Sequence, residues 1–273
     1  MCSIFGVGLF KDHKLGDSDT LIGTMSRLLK EAEVGGHSAS GISIMREKTV
    51  HVLRRPMASS ALIETEEYAD FMTDNVDVEA EKNPLMSIIG HCRMPTKGSV
   101  ANNLNNHPVV IDNIIGVHNG HIGNDDELFE SFRKVITRKA QVDTEIIFQL
   151  INHFTQSPKS RTVDAIQTAA PYLLGSYACG MQNTRHPFNL YLFRHSNPIK
   201  ILFYPKMGLV FFATREHFIT RAWEDFADVD GDDAEVIDLI DDQGIVFNLW
   251  NHTSCKFIFR NSRKARELGK HAG

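Results

Sequence analysis

The chain has 273 residues, 42% of them apolar and 23% charged, a composition typical of a globular protein with a sizeable core. Its net charge of −5 argues against a nucleic-acid-binding surface, and no apolar run reaches the ~20 residues that span a bilayer. The four cysteines are widely spaced without a CxxC pair, which argues against a disulfide framework and against a thiolate metal site. Together with the lack of a basic-then-apolar leader, these features predict reduced thiols and a cytoplasmic location.

Apolar periodicity predicts strand-rich ends around a helical middle. The predicted strands cover residues 3–10, 42–45, 49–54, 86–93, 111–118, 176–181, 190–195, 199–204, 209–213, 236–239, 245–249 and 256–259. Predicted helices start at the caps Asp17, Asn124 and Asp143, and two further helices cover residues 163–174 and 216–223. This pattern predicts a single α+β domain of stacked antiparallel sheets covered by helices.

Cys2 directly follows the initiator methionine and leads into an apolar strand. Its small side chain is of the kind that permits removal of Met1, which would leave Cys2 with a free α-amino group. Such a group titrates at about 7.7–8.0 and a free thiol at about 8.5. One residue would then supply both a nucleophile and a base, the N-terminal form of nucleophile activation.

Three polar clusters at the ends of predicted elements could complete a site around this thiol. Arg93 offers a planar guanidinium for a substrate carboxylate. Asn119, through its side-chain amide, and Gly120, through its backbone N–H, offer donors to an oxyanion. Asp143 offers a carboxylate for a substrate ammonium. A substrate that carries an α-carboxylate, an α-ammonium and a side-chain amide is glutamine or asparagine.

Each of these residues also has a purely structural interpretation. Arg93 could form a surface ion pair, and Asp143 could serve only as a helix cap. The dipeptide Asn119-Gly120 is a common turn sequence, here placed at the end of a predicted strand. Two histidines three apart in the same motif suggest a metal site, but no carboxylate pair accompanies them and the intervening glycine disfavours a helix. No metal and no cofactor is therefore predicted.

Five ordered motifs resemble those of class II glutamine amidotransferases, whose glutaminase domains carry an N-terminal cysteine nucleophile. The motifs are residues 1–7 (MCSIFGV), 90–98 (GHCRMPTKG), 105–108 (NNHP), 118–122 (HNGHI) and 143–145 (DTE). The arginine loop is most similar to that of the glucosamine-6-phosphate synthase glutaminase domain. The resemblance extends over residues 2–250, and residues 251–273 are predicted to be a C-terminal strand and basic tail of the same domain.

The resemblance implies a four-layer αββα sandwich of the N-terminal-nucleophile type, with Cys2 as nucleophile and its α-amino group as general base. It implies an oxyanion hole formed by Asn119 and Gly120. The substrate-binding residues that it predicts are Arg93, Thr96, His118 and Asp143. Hydrolysis of L-glutamine through a γ-glutamyl thioester would then give glutamate and ammonia without a metal or an organic cofactor.

Two features depart from the family pattern. Residues 35–41 (GGHSASG) lack the usual arginine and acid, and Met94 stands where the family has tryptophan. No synthase-like region follows residue 250, so the resemblance implies a free-standing subunit that passes ammonia to a separate synthase or transferase. Two alternatives stay open: a γ-glutamyl amidohydrolase acting on a γ-glutamyl peptide or conjugate, and a catalytically weak glutamine-binding or scaffold subunit.

Overall fold

The computed structural model describes residues 2–156, 161–224 and 234–259. These residues form two antiparallel sheets with helices on both outer faces. The predicted basic tail and the initiator methionine lie outside the described residues. No helix in the described ranges is long and apolar enough to cross a membrane.

The seven-stranded sheet holds the first strand of the chain in its interior. Its strands, in spatial order, are β11 (Glu235–Val236), β9 (Lys200–Tyr204), β10 (Leu209–Ala213), β1 (Ser3–Leu9), β4 (Leu85–Arg93), β2 (Ala39–Arg46) and β3 (Val50–Arg55). Strand β1 pairs antiparallel with β10 on one side and with β4 on the other, where Ser3 lies opposite Cys92. The N-terminal strand is therefore hydrogen-bonded along both edges.

The six-stranded sheet contains the later strands and the second set of predicted site residues. Its strands, in spatial order, are β13 (Thr253–Ile258), β12 (Gln243–Asn248), β8 (Asn189–His195), β7 (Gly175–Asn183), β6 (Ile114–Ile122) and β5 (Val109–Ile111). Strand β13 pairs antiparallel with β12 over its whole length, from Thr253 opposite Asn248 to Ile258 opposite Gln243. Residues 253–258 therefore continue the same sheet.

Helices cover the outer face of each sheet. The seven-stranded sheet packs against α1 (Ser18–Ala32), α2 (Ser59–Leu62), α3 (Glu66–Asn75) and α7 (Glu216–Trp223). The six-stranded sheet packs against α4 (Asp125–Ser131), α5 (Thr144–Phe154) and α6 (Thr162–Ala169). Short 3₁₀ helices lie at Glu33–Gly35, Asn103–Asn105 and Ala170–Tyr172. Helix α1 starts as predicted, because the Asp17 carboxylate accepts a hydrogen bond from Thr20 N at 2.7 Å.

Three separate apolar cores divide the molecule into four layers. One core joins the seven-stranded sheet to its helices, and a second joins the six-stranded sheet to its helices. The third lies between the sheets and contains side chains of both, such as Ile4, Val117 and Phe212, with no residue from a helix. This arrangement confirms the predicted α+β sandwich of αββα type.

The strand predicted over residues 111–118 is wrong at both ends. The structure has two strands, β5 and β6, joined by a turn at which Asp112 adopts a φ of 50°. Strand β6 then continues through Asn119 and Gly120 instead of turning there. The dipeptide stays extended because the ladder between β6 and β7 runs on to the pair Ile122↔Gly175.

The helix predicted over residues 163–174 is shorter than expected. Helix α6 ends at Ala169, and a 3₁₀ turn that contains Pro171 follows it. Proline cannot donate the backbone hydrogen bond that an α-helix needs at that position, so the chain tightens instead of continuing. Asn124 also differs from its prediction as a cap, because its side chain bonds Leu174 N and Tyr172 O instead of the start of α4.

We expect Gly6→Ala to destabilise the protein by about 1–3 kcal/mol, the usual cost of overpacking a core. A Cβ atom at Gly6 would lie 2.3 Å from Ile88 O and 2.4 Å from the Phe212 ring. The matched control is Gly16→Ala, where a Cβ meets nothing within 4 Å. Urea unfolding of both variants checks this, and equal stabilities would contradict the packing argument.

Candidate active site

Because side chains alternate between the two faces of a strand, three of the predicted site residues face the space between the two sheets. Cys2 is two residues before Ile4, which lies in the inter-sheet core, so both side chains share that face. Arg93 lies four residues after Ile89, another inter-sheet residue, on β4. Asn119 has the parity of the inter-sheet residues of β6 and is fully buried. The start of β1 and the end of β4 are adjacent, so these side chains gather at one end of the sandwich.

Cys2 lies against the backbone of the residue after Arg93. Its Sγ accepts from Met94 N at 3.4 Å and is also 3.4 Å from Met94 O. Burial raises the pKa of the Cys2 thiol, the Met94 amide and the nearby Arg93 charge oppose that rise, and Asp143 adds to it. A thiol with a raised pKa is mostly protonated near neutral pH, so it needs a neighbouring base in order to attack.

Arg93 is almost fully buried, with 3% of its surface exposed. Its Nη1 donates to Asn106 Oδ1 at 3.0 Å, and its Nη2 donates to Lys97 O at 2.6 Å and Gly98 O at 2.9 Å. Burial lowers the pKa of Arg93, while Cys2 and Asp143 raise it. The guanidinium therefore holds the loop of residues 94–106 in place. Thr96 lies in this loop and is exposed.

A second set of charges ties the same loop to α4. Lys97 Nζ lies 2.7 Å from Asp125 Oδ2 and 2.9 Å from Asp126 Oδ2. Arg138 forms ion pairs with the same two carboxylates. Asp125 is 5% exposed, so its two cationic partners compensate a carboxylate that is largely removed from water. Nothing in the sequence pattern predicted this network.

Asn119 has an unpartnered side-chain amide, and Gly120 adopts a backbone conformation that favours glycine. Neither the Nδ2 nor the Oδ1 atom of Asn119 has a hydrogen-bond partner among the described residues, although both are buried. Its carbonyl accepts from Asn197 Nδ2 at 2.8 Å, which fixes the backbone. Gly120 has a φ of 150°, and a Cβ there would lie 1.9 Å from Ser176 O. Only glycine fits at this position, and the neighbouring side-chain amide is free to bind a ligand.

Asp143 stands at the start of α5 but does not cap it. Its Oδ2 accepts from Ile122 N at 2.8 Å, and His121 Nδ1 lies 3.3 Å from the same oxygen. The side chain is 7% exposed, whereas that of His121 is 61% exposed. Asp143 raises the pKa values of both Cys2 and Arg93, so the three groups are close enough to affect one another's charge.

His118 is placed differently from the other predicted residues. Its ring lies on the helix-facing side of β6, where Nδ1 is 2.9 Å from Thr144 Oγ1. Its carbonyl oxygen accepts from His91 Nε2 at 3.0 Å. The prediction that His118 binds substrate stays a prediction, and the contacts seen are with the protein itself.

Sequence reasoning missed the contacts that link His118 directly to His91 and Thr144, and through Thr144 to His107. His107 Nε2 is 2.8 Å from Thr144 Oγ1, and the His91 and His107 rings stack with centroids 4.0 Å apart. Each residue lies inside a quoted motif, but no periodicity links positions so far apart along the chain. We call these four residues the histidine–threonine cluster. Within the part of the chain that the structure describes, no group of three or more His, Cys, Asp or Glu residues could hold a metal ion.

Comparisons with known proteins find similarity to glutamine amidotransferases. A family model described as "Glutamine amidotransferase domain" matches residues 91–221. The glutamine–fructose-6-phosphate aminotransferase of Acinetobacter baylyi is 30% identical over 176 residues, which cover 63% of this chain and 26% of that protein. The enzyme of the same name from Salmonella typhi is 37% identical over 126 residues, covering 45% and 20%. The chain thus spans about a quarter of the length of these relatives.

Solved structures show the same fold. The glutamine phosphoribosylpyrophosphate amidotransferase of B. subtilis, in complex with ADP and GMP, matches with a TM-score of 0.67 at 16% identity, covering 96% of this chain and 50% of that one. A structure described as the allosteric regulatory enzyme of purine biosynthesis matches with a TM-score of 0.66 over the same shares. One assignment accounts for the family match, the aminotransferase relatives and the cysteine at position 2. This chain carries a class II glutamine amidotransferase domain with the fold of the N-terminal-nucleophile enzymes.

Proposed function

We propose that this domain hydrolyses the γ-amide of L-glutamine through a thioester on Cys2. The observation that carries the proposal is the gathering of the Cys2 thiol, the buried Arg93 guanidinium, the unpartnered Asn119 amide and the Asp143 carboxylate at one end of the sandwich. These are the groups that a thiol needs in order to attack the side-chain amide of a zwitterionic amino acid. The proposed catalytic residues are thus Cys2, Asn119 and Gly120.

The chemical steps begin once Met1 has been removed. The neutral α-amino group of Cys2 takes the thiol proton, and the sulfur forms a bond to the amide carbon of glutamine. Asn119 Nδ2 and the Gly120 N–H hold the negative oxygen of the tetrahedral intermediate. The C–N bond then breaks, and the ammonium of Cys2 returns the proton to the leaving ammonia. Water attacks the thioester with the same amine as base, releasing glutamate and the thiol.

The substrate head group is bound by opposite charges. Arg93, together with Thr96 of its loop, receives the α-carboxylate, and Asp143 receives the α-ammonium. Because Arg93 also bonds the carbonyls of residues 97 and 98, carboxylate binding and loop position are linked through one side chain. The His118 ring lies on the helix-facing side of β6. It supports the site through its contact with Thr144 and through its carbonyl, which accepts from His91.

We further propose that the ammonia passes to a separate synthase or transferase chain. The aminotransferase and amidotransferase names of the relatives support nitrogen transfer as the purpose of such a domain. The proposed domain comprises residues 2–250 together with the following edge strand. Purification from the native host tests this, because an acceptor enzyme that uses the released nitrogen should co-purify. Ammonia released without any such enzyme bound contradicts it.

We expect the purified full chain to release glutamate and ammonia from L-glutamine in equal amounts, and Cys2→Ala to abolish this. Intact mass should show loss of Met1, with a glutamine-analogue electrophile such as 6-diazo-5-oxo-norleucine adding once at Cys2. The folded state of Cys2→Ala is confirmed by its unfolding midpoint. Activity on γ-glutamyl peptides but not on glutamine would overturn glutamine as the substrate. A retained Met1 in an active protein would overturn the role of the α-amino group.

We expect Asn119→Ala to lower kcat by roughly 10²–10³, the cost of removing one oxyanion donor, with a much smaller change in KM. The Asn119 side chain has no hydrogen-bond partner to lose among the described residues, so truncation should act mainly on the transition state. Steady-state kinetics and thermal unfolding measure the two effects. An unchanged kcat would remove Asn119 from the oxyanion hole.

Variants of Arg93 and Asp143, tested on substrate analogues that each lack one charged group, separate the carboxylate contact from the ammonium contact. The preference for glutamine over glutamine α-amide, which lacks the carboxylate, should be roughly ten- to hundredfold smaller in Arg93→Lys than in the wild type. Arg93→Lys should keep the preference over glutaramic acid, which lacks the ammonium. Asp143→Asn should show the reverse pattern. Loss of both preferences in both variants would mean general disruption of the site and would contradict the assigned contacts.

A further inference from the structure

The histidine–threonine cluster is a buried hydrogen-bond network directly behind the proposed catalytic groups. His91, on the seven-stranded sheet, reaches across to the His118 carbonyl on the six-stranded sheet at 3.0 Å. His107 Nε2 and His118 Nδ1 both contact Thr144 Oγ1, at 2.8 and 2.9 Å. All four residues are at most 4% exposed. The network therefore links both sheets to the first residue of α5.

Hydrogen counting fixes part of the proton arrangement. The His118 carbonyl can only accept, so His91 Nε2 must carry a proton and donate it. The Thr144 hydroxyl has one proton for two ring nitrogens, so at least one of His107 and His118 must donate to Oγ1. Nδ1 of His91 and Nδ1 of His107 are buried without a hydrogen-bond partner in the described structure.

Electrostatics keeps the rings neutral. Burial lowers the pKa of His91 to about 3 and lowers the pKa of His107 and His118 as well. The charges that face the cluster add smaller effects: Arg93 and Arg54 favour the neutral rings, as does His121 when charged, whereas Asp143 favours a charged His118. A neutral imidazole has one N–H donor and one acceptor nitrogen, so the bond to the His118 carbonyl selects the Nε2–H tautomer of His91.

Each member of the cluster is next to a proposed site residue. His118 precedes Asn119, and Thr144 follows Asp143. His107 follows Asn106, the residue whose Oδ1 receives Arg93 Nη1. The bond from His91 holds the peptide carbonyl between His118 and Asn119, one peptide before the Gly120 N–H.

We propose that the histidine–threonine cluster positions the oxyanion donors Asn119 and Gly120 relative to Cys2, with the Thr144 hydroxyl as its central contact. This inference rests on the proposed glutaminase function and deepens it. The four residues are positioning residues, since none of them needs to touch the reacting atoms. Misplacement of a catalytic group by 1 Å costs on the order of 10²-fold in rate, so loss of the hydroxyl should appear mainly in kcat.

The test compares Thr144→Val, which keeps the shape but removes the hydroxyl, with Thr144→Ser, which keeps the hydroxyl. We expect Thr144→Val to lower kcat for L-glutamine roughly ten- to hundredfold with KM within about threefold, and Thr144→Ser to retain most of the wild-type kcat. Thr24→Val is the control, because Thr24 is an equally buried threonine in α1, where its hydroxyl bonds only its own helix at Thr20 O. It should leave kcat unchanged.

A spectroscopic arm makes the test independent of activity. In long-range ¹H–¹⁵N spectra of the imidazoles, His91 should carry its proton on Nε2 and stay neutral at pH 5. The Gly120 amide and the Asn119 side-chain amide should shift in Thr144→Val and not in Thr144→Ser. If Thr144→Val does not fold, His91→Leu against His91→Gln gives the same comparison, since the glutamine amide can still donate to the His118 carbonyl.

Each result decides one question. An inactive wild-type protein overturns the proposed function, while the amide shifts still report on positioning. A wild-type kcat in Thr144→Val, unshifted Asn119 and Gly120 signals in that variant, or a proton on His91 Nδ1 overturns the cluster proposal. An equal loss in Thr144→Ser, or in Thr24→Val, also overturns it, because the effect would then be general loosening of the fold.

Discussion

The double-sided pairing of β1 inside the seven-stranded sheet is the constraint on which the site depends. Chain ends usually fray, and a nucleophile on the first residues of a free terminus would have no fixed position. Here β1 is hydrogen-bonded to β10 and β4. Thr214 adds two further bonds to Ile4: the Thr214 hydroxyl accepts from Ile4 N at 2.9 Å, and Thr214 N donates to Ile4 O at 2.9 Å. Cys2 is one residue beyond this ladder, so its sulfur has a defined place against the Met94 backbone.

The space between the sheets changes character along its length. Most of it is an apolar core, but at the end that holds Cys2 it contains His91, Arg93 and Asn119. Buried polar groups cost free energy unless they are hydrogen-bonded. Arg93 bonds the loop carbonyls and His91 Nε2 bonds the His118 carbonyl, whereas His91 Nδ1 has no partner among the described residues. The Asn119 side-chain amide is also buried without a partner among the described residues. Its unpaired state fits a group kept ready for a ligand.

Much of the fold could be predicted from the sequence because local signals agreed with the final structure. The helix predicted over residues 216–223 is α7 (Glu216–Trp223), and the Asp17 cap is present. The error at Asn119 and Gly120 has a clear cause. A dipeptide that favours turns was kept extended by its ladder with β7, which is a contact distant in sequence.

The site divides in the same way. The motifs around Cys2, Arg93, Asn119 and Asp143 could be identified from residue types and order, and the structure gathers these four residues. The loop network of Lys97 and the histidine–threonine cluster could not be predicted, since they join positions up to 37 residues apart that no period connects. Such contacts depend on how the two sheets stack, and a single sequence carries no direct signal for that.

The two departures from the family pattern lie beside Cys2 and Arg93. The hydrogen bonds between the Cys2 sulfur and Met94 use the Met94 backbone, and Met94 is 37% exposed, so those bonds do not depend on the identity of its side chain. Gly36 packs so tightly that a Cβ would lie 2.2 Å from the Arg93 carbonyl carbon, and Ser38 N donates to Arg93 O at 3.1 Å. The loop of residues 35–41 thus supports the backbone of Arg93 directly. A larger side chain at Gly36 would push against the backbone of Arg93, which gives this loop a physical reason to stay small at that position.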